Sequence, residues 1–152
     1  VPTIVKMPAI ESFYIRNKGY NVNIKETWQK LQTWILTNNI HSYKQIALFH
    51  DNPTITPLND CQYIGCIVVD DLEKVESDRL PNFKIAEGVY AKFDLKGKTG
   101  DVLPFIHWVY HEWLPKSEYE TTTKPSYAIY KKLDFLDDSD EFDLSFYVSI
   151  NF

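Results

Sequence analysis

Two histidines in this sequence have the spacing of a metal site and could therefore do chemistry. His107 and His111 lie four residues apart in IHWVYHEW, which puts both imidazoles on one face of a helix. A zinc protease of the H-E-x-x-H type needs a glutamate directly after the first histidine, and Trp108 stands there instead. The pattern therefore favours a solvated helix face, and we expect neither a metal nor a cofactor.

The sequence also contains groups that could act as acids or nucleophiles, but their spacing does not indicate a catalytic site. Glu112 and Glu118 near Trp113 could form an acid pair, although glutamates are common at helix ends. Cys61 and Cys66 are five residues apart in CQYIGCIVV, a predicted strand, so they point to opposite faces roughly 16 Å apart and cannot bridge each other. We expect buried, unreactive thiols in a reducing, cytoplasmic compartment.

Tyrosines and small polar residues indicate a different chemistry, the binding of an organic molecule. In the last predicted strand, Asp143, Ser145 and Tyr147 alternate with apolar residues, so we expect them on the sheet face that looks away from the helices. In PSYAIY, Ala128 and Tyr130 share one parity, and we expect them on the same outward face. Such a lining suits a flat or cationic molecule, because tyrosine combines apolar area, a π face and a hydroxyl. The alternative is a solvated sheet face that binds nothing.

The stretch from Thr99 to Glu120 is the clearest of the elements that would position these groups. Its apolar residues form one helical stripe: Val102, Phe105, Ile106, Val109, Tyr110 and Trp113. Asp101 or Thr99 can cap the start, and Pro104 is tolerable only in the first turn. Leu114-Pro115 is predicted to end the helix, because the residue before a proline disfavours the α conformation. A helix so rich in aromatic residues needs a broad apolar partner, which we expect to be a sheet.

The pattern along the chain predicts two β-α-β-β units. In the first, Asn23 to Glu26 has the spacing of a capping box ahead of a helix, and two strands follow that helix. After a polar connection from Leu72 to Asn82, strand, aromatic helix and two strands repeat the order. We predict a single domain with pseudo-repeats of about 1–71 and 82–152. The fold class is α+β, an antiparallel-rich sheet with both helices on one face and a ligand groove between the halves.

Composition excludes several classes of function. The chain has 152 residues, of which 44% are hydrophobic, and this is enough for a real core. A formal net charge of −5 without a cluster of Lys and Arg disfavours nucleic-acid binding, so any contact with DNA would need a separate domain. The sequence shows no apolar run long enough for a membrane span and no signal peptide. It begins with valine, which fits a piece of something longer.

Several short runs, taken together, resemble a known family. The runs are HDNPTITPLNDCQYIGC, GVYAKF, EWLPKSEYE and KPSYAIY, in this order over nearly the whole chain. They resemble the gyrase-inhibitor-like small-molecule-binding domain, the effector-binding module of many AraC-type transcription regulators. The most specific parts are Asp51-Asn52-Pro53 with Thr56-Pro57, and Trp113-Leu114-Pro115 with Ser117. The resemblance implies a duplicated β-α-β-β fold around a central groove.

The resemblance also bears on the residues of that groove. Tyr63, after the loop cysteine, is kept, and Tyr130 stands at the place of a second family tyrosine. Two residues before it the family usually has a glutamate, which pairs with cationic ligands or serves in catalysis, and here this place is Ala128. Asp143 could supply a substitute charge. The predicted ligand-binding residues are Tyr63, Trp113, Ala128, Tyr130, Asp143, Ser145 and Tyr147, and no catalytic residue is predicted.

Together these observations predict an effector-binding domain for a small hydrophobic molecule, neutral or cationic. It would be the ligand-sensing part of an AraC-type transcription regulator, with no enzyme activity, no membrane partner and DNA bound only by another domain. Two alternatives stay open. One is a stand-alone protein that sequesters or hydrolyses small toxic compounds, and the other is an interaction module that inhibits an enzyme such as gyrase.

Overall fold

Nine strands and three helices make up the described part of the chain. The computed structural model describes residues 2–19, 24–49, 51, 55–57, 60–69, 80–98, 101–131 and 141–151. The strands are β1 (Thr3–Met7), β2 (Ile10–Lys18), β3 (Tyr43–Phe49), β4 (Gln62–Val69), β5 (Asn82–Ile85), β6 (Gly88–Lys98), β7 (Glu120–Thr121), β8 (Ser126–Tyr130) and β9 (Glu141–Asn151). The helices are α1 (Ile24–Thr37), α2 (Val102–Trp108) and α3 (Leu114–Lys116), and a π-helical turn (Val109–Trp113) joins α2 to α3.

The two predicted β-α-β-β units are present. The first consists of β2, α1, β3 and β4, and the second of β6, α2, β8 and β9. Strand β5 is absent from the prediction, because four residues at the end of a polar segment give too short a pattern to recognise. The proposed capping residue Asn23 and the alternative cap Thr99 lie outside the described residues.

Each long helical element buries one apolar stripe against the sheet. The buried residues of α1 are Thr27, Trp28, Leu31, Trp34 and Ile35. In the second element Ile106 and Val109 are fully buried, and Pro104 lies in the first turn of α2 as predicted. The apolar stripe predicted for the aromatic helix is therefore confirmed at its buried positions, Ile106 and Val109. No helix in the described part of the chain has both the length and the apolar character that crossing a bilayer requires.

The aromatic helix begins after Asp101, as predicted, but its expected Asp101 cap and its end need correction. The side chain of Asp101 makes no capping hydrogen bond, and its Oδ2 instead accepts from the backbone N–H of Lys98 at 3.1 Å. The helix does not stop at Leu114-Pro115 but runs to Lys116. In the π turn the Leu114 N–H donates to the carbonyl of Val109, five residues back. The backbone has thus left the regular α register where the proline enters, which relieves the usual clash.

The strands form one antiparallel sheet in the order β1-β6-β9-β8-β3-β4-β2-β5, and β7 pairs with β9 beside this path. Strands β8 and β3 join the two halves at the centre. Each half has the order expected for one unit, but its outer strand comes from the other half of the chain. Strand β1 flanks β6, and β5 flanks β2. Because the edge strands are exchanged, the two halves interlock.

Two short connections force this sheet to curl. Pro8-Ala9 alone joins β1 to β2, although these strands lie towards opposite edges, and Ala86-Glu87 alone joins β5 to β6. An extended residue spans at most about 3.6 Å, so three steps bridge no more than about 11 Å. The two edges must therefore lie close together, and the sheet is a strongly curled half-barrel.

The curl gives the sheet two faces, which we call the helix face and the far face. The helix face packs under the helices, and its buried residues include Phe49, Tyr63, Ile67, Phe93, Ala128, Tyr130, Leu144 and Phe146. The far face carries Ile46, Leu48, Ile64, Cys66, Ile85, Tyr90, Tyr127 and Tyr147. Val5 from one edge and Ile85 from the other belong to the same far-face cluster. The far face is therefore the inside of the curl.

Gly65 sets the distance between α1 and the sheet. It is buried in β4, and a Cβ at this position would lie 2.9 Å from Leu31 Cδ1 and 3.1 Å from Thr27 Cγ2. Both of these side chains are themselves buried in the packed core, so neither can swing aside freely. The glycine is needed for the close approach of the helix.

Gly65→Ala should therefore destabilise the protein by about 1–3 kcal/mol, through overpacking against Leu31. The measurement is the urea midpoint at unchanged slope. In the double variant Gly65→Ala/Leu31→Ala, the truncated side chain makes room for the added methyl, so the combined cost should fall below the sum of the single costs. Strictly additive costs would contradict this account.

Candidate functional site

An aromatic cavity lies beside α2 at the outer edge of the helix face. It has a volume of about 350 Å³ and is lined by Pro2, Phe93, Asp94, Phe105, Trp108 and Trp113. We call it the aromatic pocket. Strand β6 supplies its floor, α2 and the π turn supply its wall, and the residue ahead of β1 closes one side. A concave, mainly apolar site of this size is typical of small-molecule binding.

The rings of the aromatic pocket hold one another in place. Phe93 meets Phe105, Trp108 and Trp113 edge-on, with centroid distances of 5.5, 6.3 and 5.0 Å. Phe105 and Trp108 are stacked at 5.9 Å with 26° between their planes. Phe93 is 5% exposed whereas Trp108 is 45% exposed. A buried ring thus anchors an exposed indole, which offers a flat π surface to a ligand.

The π-helical turn brings Trp113 to the same site. Phe105 and Trp108 are three residues apart in α2, so they are neighbours on one face of the helix. In a regular α-helix Trp113, five residues after Trp108, would point well away from it. The hydrogen bond from the Leu114 N–H to the Val109 carbonyl closes a wider turn, which brings residues five apart towards the same face. The aromatic pocket therefore depends on this local irregularity.

Asp94 is the one charged residue in the described lining of the aromatic pocket, but its carboxylate lies on the far face, where Asp94 pairs with Ser145 across β6 and β9. Its Oδ1 accepts a hydrogen bond from Ser145 Oγ at 2.6 Å and another from Lys131 Nζ at 3.3 Å. The Ser145 hydrogen bond, with help from Lys131, lowers the pKa of Asp94. The carboxylate is therefore ionised at neutral pH but largely compensated. A cation in the pocket would gain only a modest attraction, because exposed ion pairs contribute little.

Two predicted ligand residues lie on the face opposite to the expected one. Ala128 pairs with Phe146 across β8 and β9, so Ala128 and Tyr130 belong to the helix face. The prediction that they look outward together with Tyr147 is wrong, and Tyr127 is paired with Tyr147 instead. Both parities of this strand carry a tyrosine, so alternation alone cannot assign the faces. Ala128 is fully buried, and a small residue there fits beneath the packed helices.

Tyr63 and Tyr130 take part in a buried hydrogen-bond chain under α1. Trp28 Nε1–H donates to the Tyr63 hydroxyl at 2.8 Å, and Tyr130 is a further hydrogen-bond partner of Tyr63. The two tyrosines are 1% and 7% exposed, and burial raises the pKa of Tyr63. A ligand can reach them only if the helices move away from the sheet. Their contact with a ligand therefore stays a prediction.

The remaining predicted residues of the set lie on the far face of β9: Asp143, Ser145 and Tyr147. Asp143 lies 3.8 Å from the amino group of Lys131, and Tyr147 stacks on Tyr127 with centroids 4.9 Å apart and 19° between the planes. Tyr147 is 6% exposed. The predicted set is thus divided between two sheet faces, and Trp113 is the member that lines the aromatic pocket. As ligand residues, the far-face members also stay predictions.

Phe93 and Trp108 are absent from the predicted set of ligand residues, and Phe105 was predicted only as part of the packing stripe. Trp108 could have been predicted as a ligand residue from the sequence, because it is a large aromatic residue beside the apolar stripe of an amphipathic helix. Phe93 carried none, since its contact with Trp113 depends on how the helix crosses a strand that is distant in sequence.

The cysteines and histidines form no assembled site in the described part of the chain. Cys61 and Cys66 are free and buried, in the helix-face and far-face clusters respectively, so they point to opposite faces as predicted. Burial raises the pKa of Cys61 to about 11 and that of Cys66 to about 12, so neither is a thiolate at neutral pH. The rings of His107 and His111 are 5.4 Å apart, and the described residues contain no group of three side chains suited to a metal ion.

Comparison by sequence gives a family and a curated relative. Residues 1–150 match the family described as GyrI-like small molecule binding domain. A Bacillus subtilis (strain 168) protein, the SPbeta prophage-derived putative transcriptional regulator YosT, is 29% identical over 91 residues, which are 55% of this chain and 61% of that protein. The match therefore spans less than two thirds of the relative's length.

Comparison by structure gives the same fold in several proteins. The C-terminal domain of EcmrR has a TM-score of 0.72 at 15% identity, covering 99% of this chain and 97% of that one. EcmrR in a complex with DNA has a TM-score of 0.75 at 16% identity, with 57% of its chain covered. A hydrolase from Listeria innocua has a TM-score of 0.66 at 10% identity, covering 99% and 91%. At such identities the likeness shows the fold alone.

Tyr63→Phe should lower the free energy of unfolding by about 1–3 kcal/mol, because the buried Trp28 Nε1–H loses its acceptor. The measurement is urea unfolding followed by tryptophan emission. Tyr43→Phe, at a half-buried position that packs against the same cluster, is the matched control and should change stability by less than about 0.5 kcal/mol. Equal effects of the two variants would show that the buried hydrogen bonds of Tyr63 contribute no extra stability.

Proposed function

The chain belongs to the family of GyrI-like small molecule binding domains, and from this premise we propose that it binds a flat hydrophobic molecule in the aromatic pocket. The observation that carries the proposal is the exposed indole of Trp108, anchored by the buried ring of Phe93 at the mouth of a cavity of about 350 Å³. An exposed tryptophan inside a concave site is a hot spot for stacking, since it gains apolar burial and a π contact together.

The ligand class follows from the lining of the aromatic pocket. Four aromatic rings favour planar aromatic molecules, and their electron-rich faces tolerate a positive charge. The carboxylate of Asp94 adds little attraction for a cation, because it lies on the far face and Ser145 and Lys131 already engage it. We infer that apolar contact contributes most of the ligand's affinity and that a positive charge contributes less. Ala128, at the place of the family's glutamate, supports the same ranking because it adds no charge to the helix face.

A role in transcription regulation is the biological setting that we propose. Its support is the relative named as a putative transcriptional regulator and the fold shared with the C-terminal domain of EcmrR, a protein also seen in complex with DNA. A DNA-binding domain joined ahead of β1 would be linked through Pro2, which lines the aromatic pocket. Ligand binding there would act directly on that link. More specifically, we propose that the protein is a cytoplasmic transcription regulator of the AraC type.

We propose that the domain binds its ligand without transforming it. Hydrolysis needs a positioned acid or base near the scissile bond. Asp94 is the one carboxyl residue in the described lining, and its side chain points to the far face, where it is paired with Ser145 and Lys131. The fold shared with a protein named as a hydrolase keeps catalysis as the alternative. Conversion of a bound ester or epoxide by the purified chain would favour that alternative.

Binding of N-methylacridinium, a flat cation, tests the aromatic pocket. Trp108→Ala should weaken it by about 2-fold to 30-fold, because one stacked cation–π contact contributes about 0.5–2 kcal/mol. Leu36→Ala is the matched control, since Leu36 is an exposed apolar residue (68%) on α1, and it should leave the affinity unchanged. The measurement is isothermal titration calorimetry.

Uncharged acridine has nearly the same shape and separates the contribution of charge. It should bind within about tenfold of the cation, because the Asp94 charge is compensated. Absence of saturable binding by either dye, or an unchanged affinity in Trp108→Ala, would contradict the assignment of the aromatic pocket.

A further inference from the structure

A second cavity opens on the far face, at the end of the sheet where β5 turns into β6. Its volume is about 310 Å³, and its lining is Tyr14, Arg16, Leu48, Ile64, Lys84, Ile85, Ala86, Tyr90 and Pro125. We call it the basic cavity. It lies on the opposite face of the sheet from the aromatic pocket, and the two cavities share no residue. A ligand in one therefore does not occlude the other.

The floor and walls of the basic cavity are apolar and fixed. Leu48, Ile64 and Ile85 are each 3% exposed, so they belong to the packed far-face cluster. The Tyr90 hydroxyl donates to the carbonyl of Ala86 at 2.7 Å, which holds its ring at the cavity wall. Such a floor would bury the apolar body of a ligand without rearrangement, and preorganisation of this kind favours binding.

Positive charge at the rim distinguishes this cavity from the rest of an acidic protein. Arg16 and Lys84 are its two charged lining residues, whereas the chain as a whole carries a formal charge of −5. The Arg16 guanidinium lies 6.0 Å from the ring centroid of Tyr14. The ion pairs recorded between described residues do not involve Arg16, and Lys84 makes one weak, exposed contact with Glu11 at 3.5 Å. Arg16 is therefore the stronger candidate for an anion.

We propose that the basic cavity binds a planar aromatic monoanion, such as an aryl carboxylate. The ring would lie on the apolar floor between the walls of Tyr14 and Tyr90, and the carboxylate would face Arg16 at the rim. A guanidinium suits this role because its donors match the two oxygens of a carboxylate. The volume accommodates one or two fused rings. This ligand class is opposite in charge to the one inferred for the aromatic pocket, so the cavity constitutes a separate site.

The test uses 2-naphthoate and its neutral isostere 2-naphthamide, titrated into the full chain by calorimetry. Arg16→Gln should weaken 2-naphthoate at least about fivefold and leave 2-naphthamide within about twofold, because only the charged contact is removed. Lys30→Gln removes one charge from the exposed surface of α1 and should leave both affinities unchanged. Arg16 is exposed, so its replacement should not impair folding, which far-ultraviolet circular dichroism checks.

Three results would overturn the proposal. The first is a lack of saturable 2-naphthoate binding up to about 1 mM. The second is an equal affinity of 2-naphthoate for the native chain and for Arg16→Gln. The third is a loss of 2-naphthoate binding in Trp108→Ala, which would place the anion in the aromatic pocket. Binding of N-methylacridinium to Arg16→Gln reports on the aromatic pocket alone, so failure of one site is distinguishable from failure of the other.

Discussion

The curl of the sheet is the constraint on which the rest of the structure depends. Two connections, Pro8-Ala9 and Ala86-Glu87, each carry the chain from one edge of the sheet to the other in two residues, so a flat sheet is impossible. The side chains of the far face pack against one another inside the curl, whereas the helix face packs under the helices. Two cavities lie at the margins of the sheet, beside α2 and at one end of the curl.

The exchange of edge strands brings residues from both halves of the chain to the aromatic pocket. Because β1 pairs with β6, the N-terminal strand lies against the second half of the chain, and Pro2 reaches the aromatic pocket formed by α2 and β6. The centre of the helix face is different. There Trp28, Tyr63 and Tyr130 are buried and hydrogen-bonded to one another, so this region favours stability over access. The aromatic residues that we propose as the ligand site at the edge are thus distinct from those that stabilise the centre.

The sequence allowed the fold to be predicted in those parts that depend on local pattern. The apolar stripe of the aromatic helix, the β-α-β-β order of each unit and the faces of β9 are as expected, because period and turn chemistry are visible within a few residues. The faces of β8 were not predictable, since both parities of SYAIY carry a tyrosine and the pairing of Ala128 with Phe146 is non-local. The pocket depends on the π turn before Pro115 and on the crossing of α2 over Phe93, and neither leaves a recognisable pattern in sequence.

The four tryptophans provide the most direct test of the central claim, that ligands bind at the aromatic pocket. Trp108 and Trp113 line it, whereas Trp28 and Trp34 are buried on the face of α1 that packs against the sheet. In a ¹⁵N–¹H spectrum of the indole groups, titration with N-methylacridinium should shift the Trp108 and Trp113 signals first and most, and leave those of Trp28 and Trp34 nearly unchanged. Leading shifts of Trp28, with Trp108 unaffected, would contradict the account and place the ligand at the centre of the helix face.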